Sequence, residues 1–250
     1  MGYKIFDRKF GFELETSTEM ETIEKVLAGV IPSNRLCRTT GASGFGKWKL
    51  EYDYTTESEI VSPVLTMADL PEVKTLLEGL KNHKVSLTRN DSMHLHMYAG
   101  DISREHMVVA WMTIESVLKK CFPLHRRKAE YAEPLMTTRS RNRMVSSYYK
   151  DAEQKSSEHK SAISFEHLDD RNRHTVEFRL FEGTLKYENV ENWVKFCHLF
   201  LNYSKKIKFV DKITEKTNIL RSLDEMFVEL KIEKYKKICR WLENRHEIYK

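Results

Sequence analysis

The chain has 250 residues, a mass of 29.6 kDa, 40% hydrophobic residues and a net charge of +5. This apolar content is enough to build a core and excludes a disordered chain. The 42 basic side chains only slightly outnumber the 37 acidic ones, so the charge does not indicate nucleic-acid binding. The longest apolar run, Met107–Met112, is too short to span a membrane, and the charged N-terminal residues lack the apolar stretch of a secretory signal. We therefore expect a cytoplasmic protein.

The cysteine spacing indicates which metal and disulfide sites to expect, and the linker composition indicates how many domains to expect. The four cysteines are far apart and include no C-x-x-C pair, so they indicate neither a zinc knuckle nor a disulfide framework. We expect reduced thiols that are mostly buried. No repeat or Pro/Gly-rich linker divides the sequence. We predict a catalytic domain over residues 1–210, with a C-terminal helical extension over residues 211–250 packed on it.

Hydrophobic periodicity predicts a mixture of strands and helices. Alternating apolar and polar residues predict short strands at Phe10–Thr16, Trp48–Thr55, Ser58–Leu65, Lys84–Thr88, Met93–Ala99, Ala162–His167 and His174–Leu185. Helical spacing predicts helices at Glu19–Ala28, Leu70–Lys81, Ser103–Cys121 and Val190–Ile207. Two more helices follow: Ser222 and Glu225 form a capping box for the first, and Tyr235, Ile238, Trp241 and Leu242 mark the second. Together these elements predict an α+β fold.

Two polar segments outside these elements are candidates for phosphate binding. The segment Thr39–Gly46, TTGASGFG, contains three glycines but has neither the ending of a P-loop nor the dinucleotide fingerprint. A hairpin turn is the favoured interpretation of this segment, with a lid as the alternative. The basic run Arg139–Arg143, RSRNR, is typical of a solvated loop and could also contact a phosphate.

Several predicted strands carry charged or imidazole side chains on one face, because residues i and i+2 of a strand point the same way. An antiparallel strand with one wet face shows the same alternation, so no single pair indicates a site. If the polar faces coincide in one sheet, the carboxylates repel one another unless cations bridge them. The residues concerned are the pairs Glu13 and Glu15, Glu51 and Asp53, His94 and His96, and Glu177 and Arg179, together with Glu59.

The composition of this set indicates which metal it would hold. Many carboxylates, few imidazoles and no thiol suit Mg²⁺ or Mn²⁺ better than Zn²⁺, and Mg²⁺ on protein carboxylates usually accompanies bound phosphate. The H-x-H pattern of His94 and His96 also suits a transition metal. A metal-dependent hydrolase that uses these two histidines therefore stays an alternative. A non-catalytic binding protein is the second alternative.

Four segments occur in an order and with a character that a known family shares: GFELE (Gly11–Glu15), WKLEYDYTTESEIVSP (Trp48–Pro63), DSMHLHMYAG (Asp91–Gly100) and HTVEFRLFEGTL (His174–Leu185). They resemble the amidoligase family, which belongs with glutamine synthetase and glutamate-cysteine ligase in the carboxylate-amine ligase superfamily. The resemblance covers Phe10–Ile207. It implies a curved antiparallel sheet of the glutamine-synthetase type with helices on its outer face, and ATP with Mg²⁺ or Mn²⁺ on its inner face.

The resemblance also implies a role for each matching residue. His96 and Arg179 would contact the phosphates of ATP or the phosphoryl group in transfer. Asp53 would orient or deprotonate the incoming amine, with Glu51 as the alternative, although Thr55 stands where the family usually has Ser. One of Arg139, Arg141 and Arg143 would provide a further phosphate contact. The implied metal ligands are Glu13, Glu15, Glu59, His94 and Glu177.

The implied activity is the ATP- and Mg²⁺-dependent joining of a carboxylate to an amine through an acyl phosphate. The γ-phosphoryl group of ATP activates the carboxylate, and the amine then displaces phosphate. Phosphoryl transfer requires mainly positioning and charge neutralisation, which carboxylate-bound metals and an arginine supply. The second step requires a base for the amine and a site closed to water. The expected partners are ATP and a small-molecule or peptide carboxylate and amine.

Overall fold

The computed structural model describes residues 6–37, 46–52, 56–135, 154, 160–207 and 220–250. By its contacts, the chain divides into two units. The sheet unit comprises Asp7–Met97 and Phe181–Trp193, and the helical unit comprises Met1–Phe6, Tyr98–Leu180 and Val194–Lys250. The boundary at residue 210 stays a prediction.

The described residues contain both antiparallel strands and α-helices, which confirms a mixed α and β fold. No helix in these ranges is both long enough and apolar enough to cross a membrane. The strands are β1 (Phe10–Thr16), β2 (Lys49–Glu51), β3 (Ser58–Val61), β4 (Met93–Tyr98), β5 (Ile163–Ser164) and β6 (Thr175–Phe178). The helices are α1 (Met20–Val30), α2 (Leu70–Asn82), α3 (Arg104–Leu118), α4 (Leu124–Arg127), α5 (Tyr187–Ser204), α6 (Leu223–Leu230) and α7 (Lys236–Tyr249).

Four antiparallel strands form the framework of the sheet unit. They hydrogen bond in the order β2–β3–β1–β4. The apolar side chains of β1 alternate as predicted, and Phe10, Phe12 and Leu14 are each at most 3% exposed. The Phe12 ring packs edge-on against Trp48 with a centroid distance of 5.5 Å. Because one face of β1 is committed to this core, Glu13 and Glu15 project from the other face.

The predicted strand at Lys84–Thr88 is wrong. Lys84 lies in the turn that follows α2, and its φ of 58° is in the left-handed region, which a strand does not use. The amide of Ser86 donates to the Thr18 hydroxyl oxygen at 2.9 Å, and the amide of Thr88 donates to the Asp91 carboxylate at 2.5 Å. Side chains therefore take the backbone donors that a strand would use for its ladder.

Two helices differ from the sequence prediction, α6 in its N-terminal cap and α4 in having no predicted counterpart. The capping of α6 is confirmed in part, since Ser222 Oγ accepts from the Glu225 amide at 3.2 Å. The Glu225 carboxylate accepts from the Arg221 amide at 2.7 Å, instead of the Ser222 amide that a capping box uses. Helix α4 was not predicted, because four residues are too few to show a helical period.

The core of the helical unit centres on three aromatic rings. Trp111 of α3, Phe178 of β6 and Phe200 of α5 lie with ring centroids 5.6 to 6.0 Å apart. Strands β5 and β6 pair antiparallel in the same unit. The Trp111 Nε1 donates to the buried Glu115 carboxylate at 2.9 Å, so the indole is satisfied within the core.

Arg245 attaches helix α7 to the segment after α3. Its guanidinium carbon lies 4.9 Å from the Phe122 ring centroid and 5.2 Å from those of Trp241 and Tyr249. Its Nε donates to the Cys121 carbonyl oxygen at 2.9 Å, and the residue is 5% exposed. The cation therefore has both an acceptor and aromatic faces in place of water.

We expect Arg245→Ala to lower the free energy of unfolding by about 3 kcal/mol, because it removes the buried cation, its hydrogen bond and its packing. Arg240→Ala is the matched control, since Arg240 is an exposed arginine on the same helix. Urea unfolding curves of the two variants provide the comparison. Equal midpoints would show that Arg245 does not attach α7.

Candidate functional site

Strands β1 and β4 bring the two predicted histidines against Glu13. The register places Glu13 directly opposite His94 and Gly11 opposite His96. Glu13 Oε2 lies 3.6 Å from His94 Nδ1, and Glu13 Oε1 lies 3.3 Å from His96 Nε2. Each oxygen of this carboxylate therefore faces a different imidazole. The E-x-E and H-x-H patterns meet because neighbouring residues across an antiparallel pair share a face.

Strand β3 adds Glu59 to the same group. One ligand atom each from Glu13, Glu59 and His94 can be chosen so that all three lie within 4.8 Å of one another. His94 is buried, while the two carboxylates are half-buried. Two carboxylates and one imidazole form a donor set of the kind that Mg²⁺ or Mn²⁺ accepts. The residues present therefore fit a divalent cation.

A row of three carboxylates crosses the sheet unit beside this group. Glu59 lies opposite Glu15 on β1 and opposite Glu51 on β2. Like charges directly opposite each other destabilise a sheet, and a cation between them reduces the repulsion. Lys49 lies 3.7 Å from Glu51 at one end of the row. Glu15 is only 8% exposed, so the row is not an ordinary wet strand face.

Ser92 holds the buried end of this row. Its amide and its hydroxyl both donate to Glu15 Oε2, at 2.8 and 2.6 Å. Its Oγ also lies 2.8 Å from His94 Nε2. The second oxygen of Glu15 is 3.7 Å from the same nitrogen. Glu15, Ser92 and His94 thus form one connected polar group, and His94 links this group to Glu13.

The imidazoles influence the charge of Glu13. Burial disfavours the ionised carboxyl and acts to raise its pKa. The charge and hydrogen bonding of His96 and His94 outweigh burial and hold the pKa of Glu13 well below its usual value. Glu13 is therefore ionised at neutral pH and available to bind a cation.

Glu177 and Arg179 are neighbours in the helical unit. Glu177 lies on β6, Arg179 follows the strand, and their side chains form an ion pair. They are 3% and 4% exposed. Arg126 Nη2 donates to the Arg179 carbonyl oxygen at 2.5 Å, and the Arg179 amide donates to the Ala162 carbonyl oxygen at 3.0 Å. The backbone and side chain of Arg179 are therefore both held.

Several predicted site residues lie outside the described residues. These are Asp53 and Thr55, the basic run with Arg139, Arg141 and Arg143, and residues 39–45 of the glycine-containing segment. Glu51, the alternative to Asp53, is described. It lies on the same face as Glu59 and ends β2.

One comparison with known proteins decides the family. The sequence model for the family described as "Putative amidoligase enzyme" matches residues 7–201. The chain belongs to the amidoligase family. The name of the family indicates an amide-forming ligase, and the match covers the region in which the four resembling segments were found. No curated protein matches the chain.

Among the described residues, the sequence pattern did not reveal Ser92, which lies between Glu15 and His94. Ser92 precedes His94 by two positions, so the alternation that pairs His94 with His96 also places Ser92 on their face. A lone serine carries no such signal without a partner, and its contact with Glu15 depends on the pairing of β1 with β4. The acidic row was likewise hidden, because the faces of the strands are readable from sequence but their register is not.

Proposed function

We propose that this amidoligase joins a carboxylate to an amine at the expense of ATP, with Mg²⁺ or Mn²⁺ as cofactor. The observation that carries the proposal is the convergence of Glu13, Glu59 and His94, whose ligand atoms lie within 4.8 Å of one another. The family match supports the ligase class. The glutamine-synthetase-like curvature of the sheet and the cytoplasmic location belong to this proposal.

Glu13, Glu59 and His94 would hold the cation, and Glu15 and Glu177 are the further ligands that the resemblance implies. When bound, the cation supplies positive charge that offsets the negative charge of the phosphates. Glu13 supports this role because the imidazoles keep it ionised. Glu13 and Glu59 are half-buried, so neither side chain is closed off completely from solvent.

The remaining predicted residues would handle the substrates. Arg179 and His96 would neutralise and orient the phosphates, and the ion pair with Glu177 would fix the Arg179 guanidinium beforehand. One arginine of Arg139, Arg141 and Arg143 would add a phosphate contact. Asp53 or Glu51 would accept the proton of the amine, and attack on the acyl phosphate would then release inorganic phosphate.

Hydroxylamine provides a test that does not require the natural amine, because it attacks acyl phosphates and yields hydroxamates. We would incubate the protein with ATP, Mg²⁺, hydroxylamine and a panel of small and peptide carboxylates. The expected result is hydroxamate and ADP in equal amounts with at least one carboxylate. A control lacking the metal should give neither product. If some of the carboxylates stimulate ADP formation but none of them yields hydroxamate, the acyl-phosphate mechanism would be contradicted.

A metal-dependent hydrolase is a second candidate, favoured by the contact of both His94 and His96 with Glu13. A carboxylate beside metal-bound imidazoles can act as the base for a water nucleophile. This candidate predicts cleavage of amide substrates with Zn²⁺ or Mn²⁺ in the absence of ATP. Activity that requires ATP would exclude it.

A further inference from the structure

Ser92 occupies the position from which the orientation of His94 can be controlled. It immediately precedes β4 and is 2% exposed. Its backbone is held by β1, because the Glu15 amide donates to the Ser92 carbonyl oxygen at 3.0 Å and the Ser92 amide donates to Glu15 Oε2 at 2.8 Å. The hydroxyl therefore stands at a fixed point between Glu15 and His94.

The hydroxyl of Ser92 has one hydrogen and two neighbours that compete for it. Glu15 Oε2 is 2.6 Å away, and His94 Nε2 is 2.8 Å away. An ionised carboxylate can only accept, and it is the stronger acceptor of the two. The hydrogen of Ser92 therefore points at Glu15. Its lone pair then faces His94. A histidine that binds a cation is neutral and carries one ring hydrogen, so in the cation-bound state the hydrogen of His94 sits on Nε2.

We propose that Ser92 is a positioning residue that fixes His94 in the Nε2–H form, so that His94 binds the divalent cation through Nδ1. The inference rests on the proposed function, since it concerns the cation that Glu13, Glu59 and His94 would hold. Nδ1 is the nitrogen that faces Glu13, at 3.6 Å from its Oε2. In addition to the ligand role that the resemblance implies for it, Glu15 then acts on His94 through Ser92, as the anion at the end of a Glu15–Ser92–His94 chain.

The hydrogen bond between Ser92 and His94 can fix both the tautomer and the ring orientation of a metal-binding histidine. A ligating histidine commonly donates its other ring hydrogen to a fixed acceptor, which sets both the tautomer and the ring angle. Here a serine hydroxyl provides the acceptor, and the buried Glu15 carboxylate polarises that hydroxyl. Ser92→Ala would keep the fold of β4 but leave either tautomer of His94 available.

Pulsed EPR of Mn²⁺ bound to histidine-labelled protein tests the inference directly. We would prepare the full chain with ¹⁵N at Nδ1 of histidine, and a second sample with ¹⁵N at Nε2, and add Mn²⁺ alone. We expect the strong ¹⁵N coupling of a directly bound nitrogen in the Nδ1 sample, and its loss in His94→Asn. A His94-dependent coupling in the Nε2 sample instead would overturn the inference alone. Mn²⁺ bound with no His94-dependent coupling in either sample would overturn the inference and would also remove His94 from the ligands of the proposed function. Absence of Mn²⁺ binding would overturn the proposed function with it.

Variants at position 92 separate positioning from general stability. We expect Ser92→Ala to raise the Mn²⁺ dissociation constant about tenfold and to shift part of the coupling to the Nε2 sample. Ser92→Thr keeps the hydroxyl and should restore the Nδ1 coupling. Ser58→Ala is the matched control, because Ser58 is equally buried and bonds Thr16 and Thr18 instead of the site. Wild-type coupling and affinity in Ser92→Ala would overturn the inference, and the labelled wild type decides the question if that variant does not fold.

Discussion

Glu13→Gln is expected to weaken Mn²⁺ binding at least about 100-fold, and ATP-dependent turnover should fall with it. Glu13 faces both imidazoles and belongs to the group with Glu59 and His94. Residues that only support metal ligands typically contribute 10- to 100-fold in affinity, so loss of a direct ligand should reach at least the upper end of that range. Titration with Mn²⁺, followed by the EPR signal of the free ion, measures the effect.

The control for this prediction is Glu24→Gln, which removes an exposed carboxylate from helix α1 of the same unit. It should bind Mn²⁺ as the wild type does, because long-range surface charge is screened by salt. Unfolding midpoints recorded in EDTA show whether either variant alters stability. A folded Glu13→Gln protein with wild-type Mn²⁺ affinity would remove Glu13 from the site.

Glu177→Gln is expected to lower the free energy of unfolding by about 3 kcal/mol, because it leaves the Arg179 cation without its ionised partner. Both residues are at most 4% exposed, so water cannot replace the lost carboxylate. A loss of that size lowers the thermal midpoint of a chain of this length by roughly 6 to 12 °C. The measurement is made in EDTA, so that any contribution from a bound metal is absent.

A double-mutant cycle distinguishes the ion pair from other causes. Arg179→Gln alone should also destabilise, since it leaves the buried Glu177 carboxylate beside a neutral side chain. The variant that carries both substitutions should lose less stability than the sum of the two single variants. Glu243→Gln, an exposed change on α7, should have little effect. Strict additivity of the two single losses would show that the pair contributes nothing.

Much of the sheet unit could be predicted because its strands have one buried and one polar face. The alternation in Phe10–Thr16 predicted the bounds of β1 without error and placed Glu13 and Glu15 on one side. The same argument placed His94 and His96 opposite Met93, Leu95 and Met97, each of which is at most 1% exposed. Period-2 patterning therefore identified the strand faces that carry the candidate ligands.

Other features depend on contacts that a sequence does not display. The register that puts Glu15 opposite Glu59 follows from strand pairing, and a shift of one residue would move Glu59 to the other face. The wrong strand at Lys84–Thr88 arose because Thr18 and Asp91 capture its amides from elsewhere in the chain. At Glu177 the alternation indicated one apolar and one polar face but not burial, and both sides of β6 after Thr175 are buried.

Thermal unfolding with and without ATP and Mg²⁺ tests the central claim most directly, because it requires no knowledge of the substrates. A ligand at 100 times its dissociation constant adds about 2.7 kcal/mol, which for a chain of this length raises the midpoint by roughly 5 to 10 °C. We predict a rise of this size that requires both ATP and the metal and that Glu13→Gln abolishes. An unchanged midpoint with ATP and Mg²⁺, together with a clear rise with Zn²⁺ alone, would contradict the ligase and favour the hydrolase.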